Sequence, residues 1–179
     1  MKSKTILTAA AVLLALPALL LAGKAQDAAS PKPATNDQFS KFKALEGEWT
    51  GKNEGESAGG EMKVVYHVTS AGSTVTETIG PGTDHEMITV ITKDGDDIAL
   101  THYCMMGNQP HMKAPGAGAG NAVAFKFASG GNMKSDQVPH MHNVTYTFVD
   151  KDTLKSEWTM YDKGKATGTV TFLLKRKGA

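Results

Sequence analysis

From Gly47 onward the chain is a succession of short runs rich in Val, Thr, Ile, Tyr and Phe, broken by turn signals about every 8–12 residues. Each run can bury only one face, and an unpaired sheet edge invites pairing with another chain. Many short strands in series therefore favour a sandwich or a closed barrel. The pattern predicts strands near 47–53, 61–70, 73–79, 85–93 and 97–106, then near 111–114, 121–129, 140–149, 153–161 and 166–176. Tight joins at Lys93-Asp94-Gly95-Asp96, Asp150-Lys151-Asp152 and Asp162-Lys163-Gly164 make neighbouring strands hairpins, and hence a meander. The 111–114 strand is the shortest, and the glycine-rich stretch from Pro115 to Gly120 after it reads as a loose loop. One segment alone carries a helical period: Phe39, Phe42 and Leu45 at spacing three, with Asn36 or Asp37 available as a cap. The expected fold is all-β, a ten-stranded antiparallel up-and-down barrel with a short N-terminal helix closing one end.

The residues ahead of that domain have a different character. Lys2 and Lys4 precede an apolar stretch from Ile6 to Ala22, and Gly23-Lys24-Ala25 places small residues at a peptidase site before the chain turns polar at Gln26. This three-part layout reads as a secretory signal over residues 1–25, followed by a flexible tether over 26–36 and the barrel domain over 37–179. A periplasmic or secreted location is expected, with no stable membrane insertion once the signal is removed. Loss of Lys2, Lys4 and Lys24 leaves 16 basic against 18 acidic residues, and Arg176 is the sole arginine. A near-neutral surface with one guanidinium argues against nucleic acid as a partner. Cys104 is the single cysteine, which excludes an internal disulfide; burial is the expected fate of such a thiol in an oxidising compartment.

The stretch Leu45-Glu46-Gly47-Glu48-Trp49-Thr50-Gly51 resembles the Gly-x-Trp opening of calycin-like barrels, which include lipocalins, fatty-acid-binding proteins and nitrobindins. The layout is most similar to uncharacterised exported bacterial lipocalin-like proteins. The resemblance implies a short helix before the first strand, a tryptophan plugging the closed end, and an arginine of the last strand across its indole. Trp49 and Arg176 take those places. The lipocalin disulfide is impossible here, and no histidine follows His142, whereas the haem ligand of nitrobindins lies toward the C-terminus. In a meander alternate strands reverse direction, so Arg176 reaches Trp49 only if the strand number is even. That requirement retains the short 111–114 strand.

Ten strands send His102, Cys104, His111, His140 and His142 toward the end opposite Trp49, with Met105, Met106, Met112 and Met141 nearby. The apolar faces Ile98-Leu100-His102-Cys104 and His140-His142-Val144-Tyr146-Phe148 should point inward. Three chemistries fit this convergence. Imidazole, thiolate and thioether could hold copper or zinc; a histidine could act as general acid or base; or the histidines could line a polar-mouthed ligand cavity. Tyr66, Tyr146, Trp158 and Met160 fall on the apolar faces of their strands and either line that cavity or fill the core. Glu77 and Glu157 lie within strands, and the solvent side is expected for both. No nucleophile motif, phosphate loop or dinucleotide fingerprint occurs. No catalytic residue and no cofactor is therefore assigned.

The expected function is an exported, non-enzymatic binding protein for a small, largely apolar ligand held in the barrel. Its ligand-binding residues would be Tyr66, His102, Cys104, His140, His142, Tyr146, Trp158 and Met160. The alternative is a metal-binding protein or histidine-dependent barrel enzyme using His102, Cys104, His111, His140 and His142.

Overall fold

A computed structural model describes residues 37–54 and 60–178; the expected signal peptide and tether lie outside the described residues. One short helix, α1 (Gln38–Lys43), precedes ten strands: β1 (Gly47–Glu54), β2 (Glu61–Thr69), β3 (Thr74–Ile79), β4 (Met87–Asp94), β5 (Asp97–Tyr103), β6 (Gln109–Pro115), β7 (Ala122–Gly131), β8 (His140–Asp150), β9 (Thr153–Asp162) and β10 (Lys165–Arg176). Each strand pairs antiparallel with its sequence neighbours, and β1 pairs with β10, so the sheet closes on itself without a free edge. The short 111–114 segment is a full strand, β6, and its presence makes the count even.

Closure is set by β1 and β10, where Trp49 stands directly opposite Arg176. Gly51 lies opposite Leu174 in the same register, and a Cβ added there would overlap the backbone carbonyl of Leu173. Gly47 has φ +124, a backbone conformation that L side chains rarely adopt. Both glycines around Trp49 are thus demanded by backbone geometry.

Residues on one face of each strand fill the interior. In β3 these are Val75, Glu77 and Ile79, and in β5 they are Ile98, Leu100 and His102. Asp37 is the N-cap of α1, its carboxylate accepting from the Phe39 N–H, and Phe39 and Phe42 turn into the core. The Phe42 ring packs edge-on against Phe125, Tyr146 and Phe148. The loop after β6 is not loose. The Gly116 carbonyl accepts from the Gln38 N–H at 2.9 Å, the Gly116 N–H donates to the Asp96 carbonyl at 3.0 Å, and the Lys41 ammonium donates to the Gly120 carbonyl at 2.6 Å. It fastens α1 to the barrel.

Arg176 serves the same region. Its guanidinium carbon lies 4.4 Å from the Trp49 ring centroid, and its N–H groups donate to the carbonyls of Ala44 and Glu46 at 2.8 Å each and of Lys151 at 3.4 Å. Asp152 lies 3.4 Å from its Nε. The Trp49 Nε1–H donates to the Leu45 carbonyl at 2.8 Å. One cation thus joins the first strand, the last strand, the helix exit and the β8–β9 turn.

Candidate functional site

Strand direction divides the barrel interior into two ends. The beginning of β1, the end of β2 and the end of β10 share the Trp49 end; the end of β1, the beginning of β2 and the end of β5 share the other. At that other end lies a cavity of about 540 Å³. Six methionines line it: Met62, Met87, Met105, Met106, Met141 and Met160. The chain has nine methionines, so this is a concentration rather than a background frequency. Flexible, polarisable thioethers adapt to irregular apolar guests. Ile79, Val170, Phe172 and Trp158 complete the apolar wall, and His85, His102, Cys104 and Asn53 supply its polar atoms.

Of the residues expected to bind ligand, His102, Cys104, Trp158 and Met160 line this cavity. Cys104 falls just past the end of β5, in a turn where the Gly107 N–H donates to the Cys104 carbonyl at 2.9 Å. That turn holds Met105 and Met106 at the rim, both exposed. The thiol is 8% exposed, and burial pushes its pKa up.

His140 and His142 belong elsewhere, and the reason is a bulge. The β8–β9 register shifts between Met141 and Asn143, so the alternation expected for β8 breaks there and Met141 lines the cavity. The His142 ring stacks on Tyr161 at 3.8 Å and on Phe127 at 4.8 Å between centroids. His140 Nδ1–H donates to the Val138 carbonyl at 2.7 Å, and its Nε2 lies 2.9 Å from His142 Nδ1. Both His140 nitrogens are thereby committed. Burial, then the neighbouring His140, pulls the His142 pKa down. His111 pairs with the Ser129 hydroxyl at 3.0 Å, and Met112 is buried in the core. The expected convergence of four histidines and the thiol at one mouth does not occur. Among the described residues no three His, Cys, Asp or Glu side chains are grouped to hold a metal ion.

Tyr66 and Tyr146 do not face the cavity but grip a residue expected on the surface. Glu77 is 1% exposed, against the solvent placement read from its strand. The Tyr66 hydroxyl donates to one carboxylate oxygen at 2.5 Å and the Tyr146 hydroxyl to the other at 2.9 Å. Burial raises the Glu77 pKa, opposed by hydrogen bonds from Tyr66, Tyr146 and Thr89. Burial and the adjacent Glu77 charge push both tyrosines well above their usual range. Glu157 by contrast stays at the surface, 3.0 Å from Lys155. The alternation Val75-Glu77-Ile79 was the available signal for Glu77: it shares a face with two aliphatic side chains.

The cluster reaches the cavity through Thr89, whose hydroxyl bonds Glu77 on one side and lies 3.0 Å from His102 Nδ1 on the other. With Thr89 donating to the carboxylate, its oxygen accepts the His102 Nδ1–H. This fixes the tautomer and leaves Nε2 as a bare acceptor. Burial holds the His102 pKa down to about 4, so the ring is neutral at neutral pH. Among the described residues, His102 Nε2 has no hydrogen-bond partner, and neither has Trp158 Nε1. The two rings lie 4.6 Å apart between centroids.

No family model matches this chain, and no curated protein matches it. Solved structures share its fold. Rv2717c from Mycobacterium tuberculosis superposes with a TM-score of 0.55 at 15% identity, covering 78% of this chain and 96% of that one. A protein of unknown function of the DUF3598 family from Nostoc punctiforme gives a TM-score of 0.50 at 13% identity. The match covers 75% of this chain and 48% of that one, so this chain spans about half of that neighbour. At such identities the likeness is one of fold alone: a closed ten-stranded antiparallel barrel that fits the calycin-like class.

Proposed function

We propose that this protein is an exported, non-enzymatic carrier or sensor that holds a small, largely apolar molecule at the methionine-lined end of its barrel. In this reading α1 closes the Trp49 end, and the guest enters past the Cys104–Gly107 turn. The observation that carries it is the cavity itself: about 540 Å³, walled by six thioethers and four further apolar side chains. A small barrel either fills its interior or keeps room for one ligand, and this size lies within the range of small-molecule pockets. Location outside the cytoplasm follows from the signal-like residues 1–25 and from them alone. Among the described residues no helix is long and apolar enough to cross a membrane.

Native mass spectrometry of gently purified protein, followed by titration with an apolar fluorescent probe, tests the reading. One bound molecule per chain, displaced by bulky replacements at Met141 or Met160, is the expected result. A chain that binds nothing and is indifferent to those replacements would reject it.

A second reading has a specific observation behind it. His102, whose Nε2 is bare, Cys104 and six methionines line a single cavity, a donor set that suits Cu(I). Elemental analysis of protein exported in its native compartment separates the two. Stoichiometric copper that is lost on replacing His102 and Cys104 would favour the metal.

A further inference from the structure

Two residues of the cavity wall each carry a buried polar atom that no described residue satisfies, and the two atoms are chemically opposite. Trp158 Nε1–H can only donate, and His102 Nε2, in the tautomer that Thr89 and Glu77 impose, can only accept. Both residues are almost fully buried, at 2% and 1% exposed, where an unmet donor or acceptor costs about 1–3 kcal/mol. Native proteins rarely leave such atoms without a purpose. Among the described residues, no Lys, Arg, Asp or Glu lines the cavity. His85, the one other titratable ring there, sits at the exposed rim.

The geometry points to a neutral ligand with a hydroxyl head group on an apolar body, its one oxygen donating to His102 Nε2 and accepting from Trp158 Nε1–H. This assignment rests on the cavity reading and narrows it to a ligand class. A hydroxyl both gives and takes a hydrogen bond, which matches the pair. A carboxylate could accept from the indole but has nothing to give to Nε2. It would also bring a charge into a cavity with no cationic side chain among its described lining, which is strongly unfavourable. An ammonium would satisfy Nε2 but repel the indole N–H. Because burial keeps His102 neutral down to about pH 4, the imidazole cannot become the missing cation at neutral pH. The methionine wall selects little about the body of the guest. The head group is therefore where discrimination arises.

The test compares decanol, decanoate and decane, titrated calorimetrically into the full mature chain at neutral pH. Decanol should bind at least about tenfold more tightly than decanoate, the worth of one to two satisfied hydrogen bonds. His102→Leu should remove that preference while decane binding persists. In the unaltered protein, decanol alone should move the Trp158 indole N–H and His102 imidazole nitrogen resonances in NMR, a readout that needs no variant to fold. Decanol and decanoate binding equally well, with those resonances unmoved, would overturn the head-group assignment and leave the cavity reading standing. Failure of all three to bind would remove both.

Discussion

The two tryptophans make the same point from opposite ends of the barrel. Trp49 and Trp158 are both buried, and each is stacked near a nitrogenous side chain, Arg176 in one case and His102 in the other. Trp49 has every polar need met: its N–H donates to Leu45, and the cation above it spends its own donors on three carbonyls. Trp158 has an N–H with no partner among the described residues, beside an imidazole with a bare nitrogen and a cavity lined by methionines. One end has been used to fasten the fold, and its interactions are complete. The other end keeps polar atoms that no described residue satisfies. Between them lies the Tyr66–Glu77–Tyr146 cluster, which ties β2, β3 and β8 across the interior and sets the orientation of His102.

The contrast can be broken first at that cluster. Glu77→Ala would strand two buried tyrosine hydroxyls and Thr89, and it should cost about 4 kcal/mol in a denaturant melt. Glu77→Gln, which keeps the shape and one acceptor, should cost clearly less. If Glu77→Ala were tolerated, the cluster would not be holding the two ends in one frame.

Acid offers the next largest effect. The His102 pKa lies at about 4 when folded, below its ordinary value of 6.5, so folding favours the neutral ring. The associated stability is fully present above about pH 6.5 and is lost as pH falls through 4, by on the order of 3 kcal/mol. Glu77 acts in the opposite sense. Its raised pKa gives stability that is present at low pH and declines as pH rises. Comparing the unaltered protein with His102→Gln across this window isolates the histidine, because Glu77 is common to both. Parallel pH curves would show that His102 is not buried as described.

Trp49→Phe against Trp158→Phe sharpens the comparison directly. The first loses a made hydrogen bond and much of the guanidinium stacking, about 2 kcal/mol; the second loses no hydrogen bond and should cost about 1 kcal/mol or less in the ligand-free protein. Equal costs would mean the ends are energetically alike. Arg176→Lys is the smallest of the four. It should lower stability by about 1 kcal/mol, since an ammonium lacks the planar fork that reaches several carbonyls. Lys177→Ala, which removes only an exposed ion pair to Glu48, should do less in the same thermal melt.

Much of this architecture is legible in the sequence. Alternating β-rich runs and regular turns have a period that survives in every strand, and the resemblance to calycin-like barrels, which lays a late arginine across the first tryptophan, implied an even number of strands. That parity rescued β6, whose length alone argued against it. A helix cap at Asn36 or Asp37, of which the structure uses Asp37, and the inward face of β5 followed from the same local rules, because each depends on neighbours a few residues away. Sequence therefore determined the all-β barrel, its up-and-down order through ten strands, and which end His102 would occupy.

What the tertiary structure decided were the details that local period cannot carry. A single extra residue near His142 reverses the alternation in β8, bringing Met141 to the cavity and sending both histidines into a separate aromatic cluster. No turn residue or composition change announces that bulge. Glu77 looked like a surface carboxylate, although Tyr66 stands directly opposite it across the β2–β3 hairpin and donates to it. Its partner Tyr146 is 69 residues away and becomes available only when the barrel closes. Likewise the emptiness beside Trp158 is a property of packing, the volume left after strands from the whole chain have met. Period is a local quantity and was legible; the satisfaction of buried polar atoms depends on distant residues, and only the closed barrel reveals which of them remain without a partner.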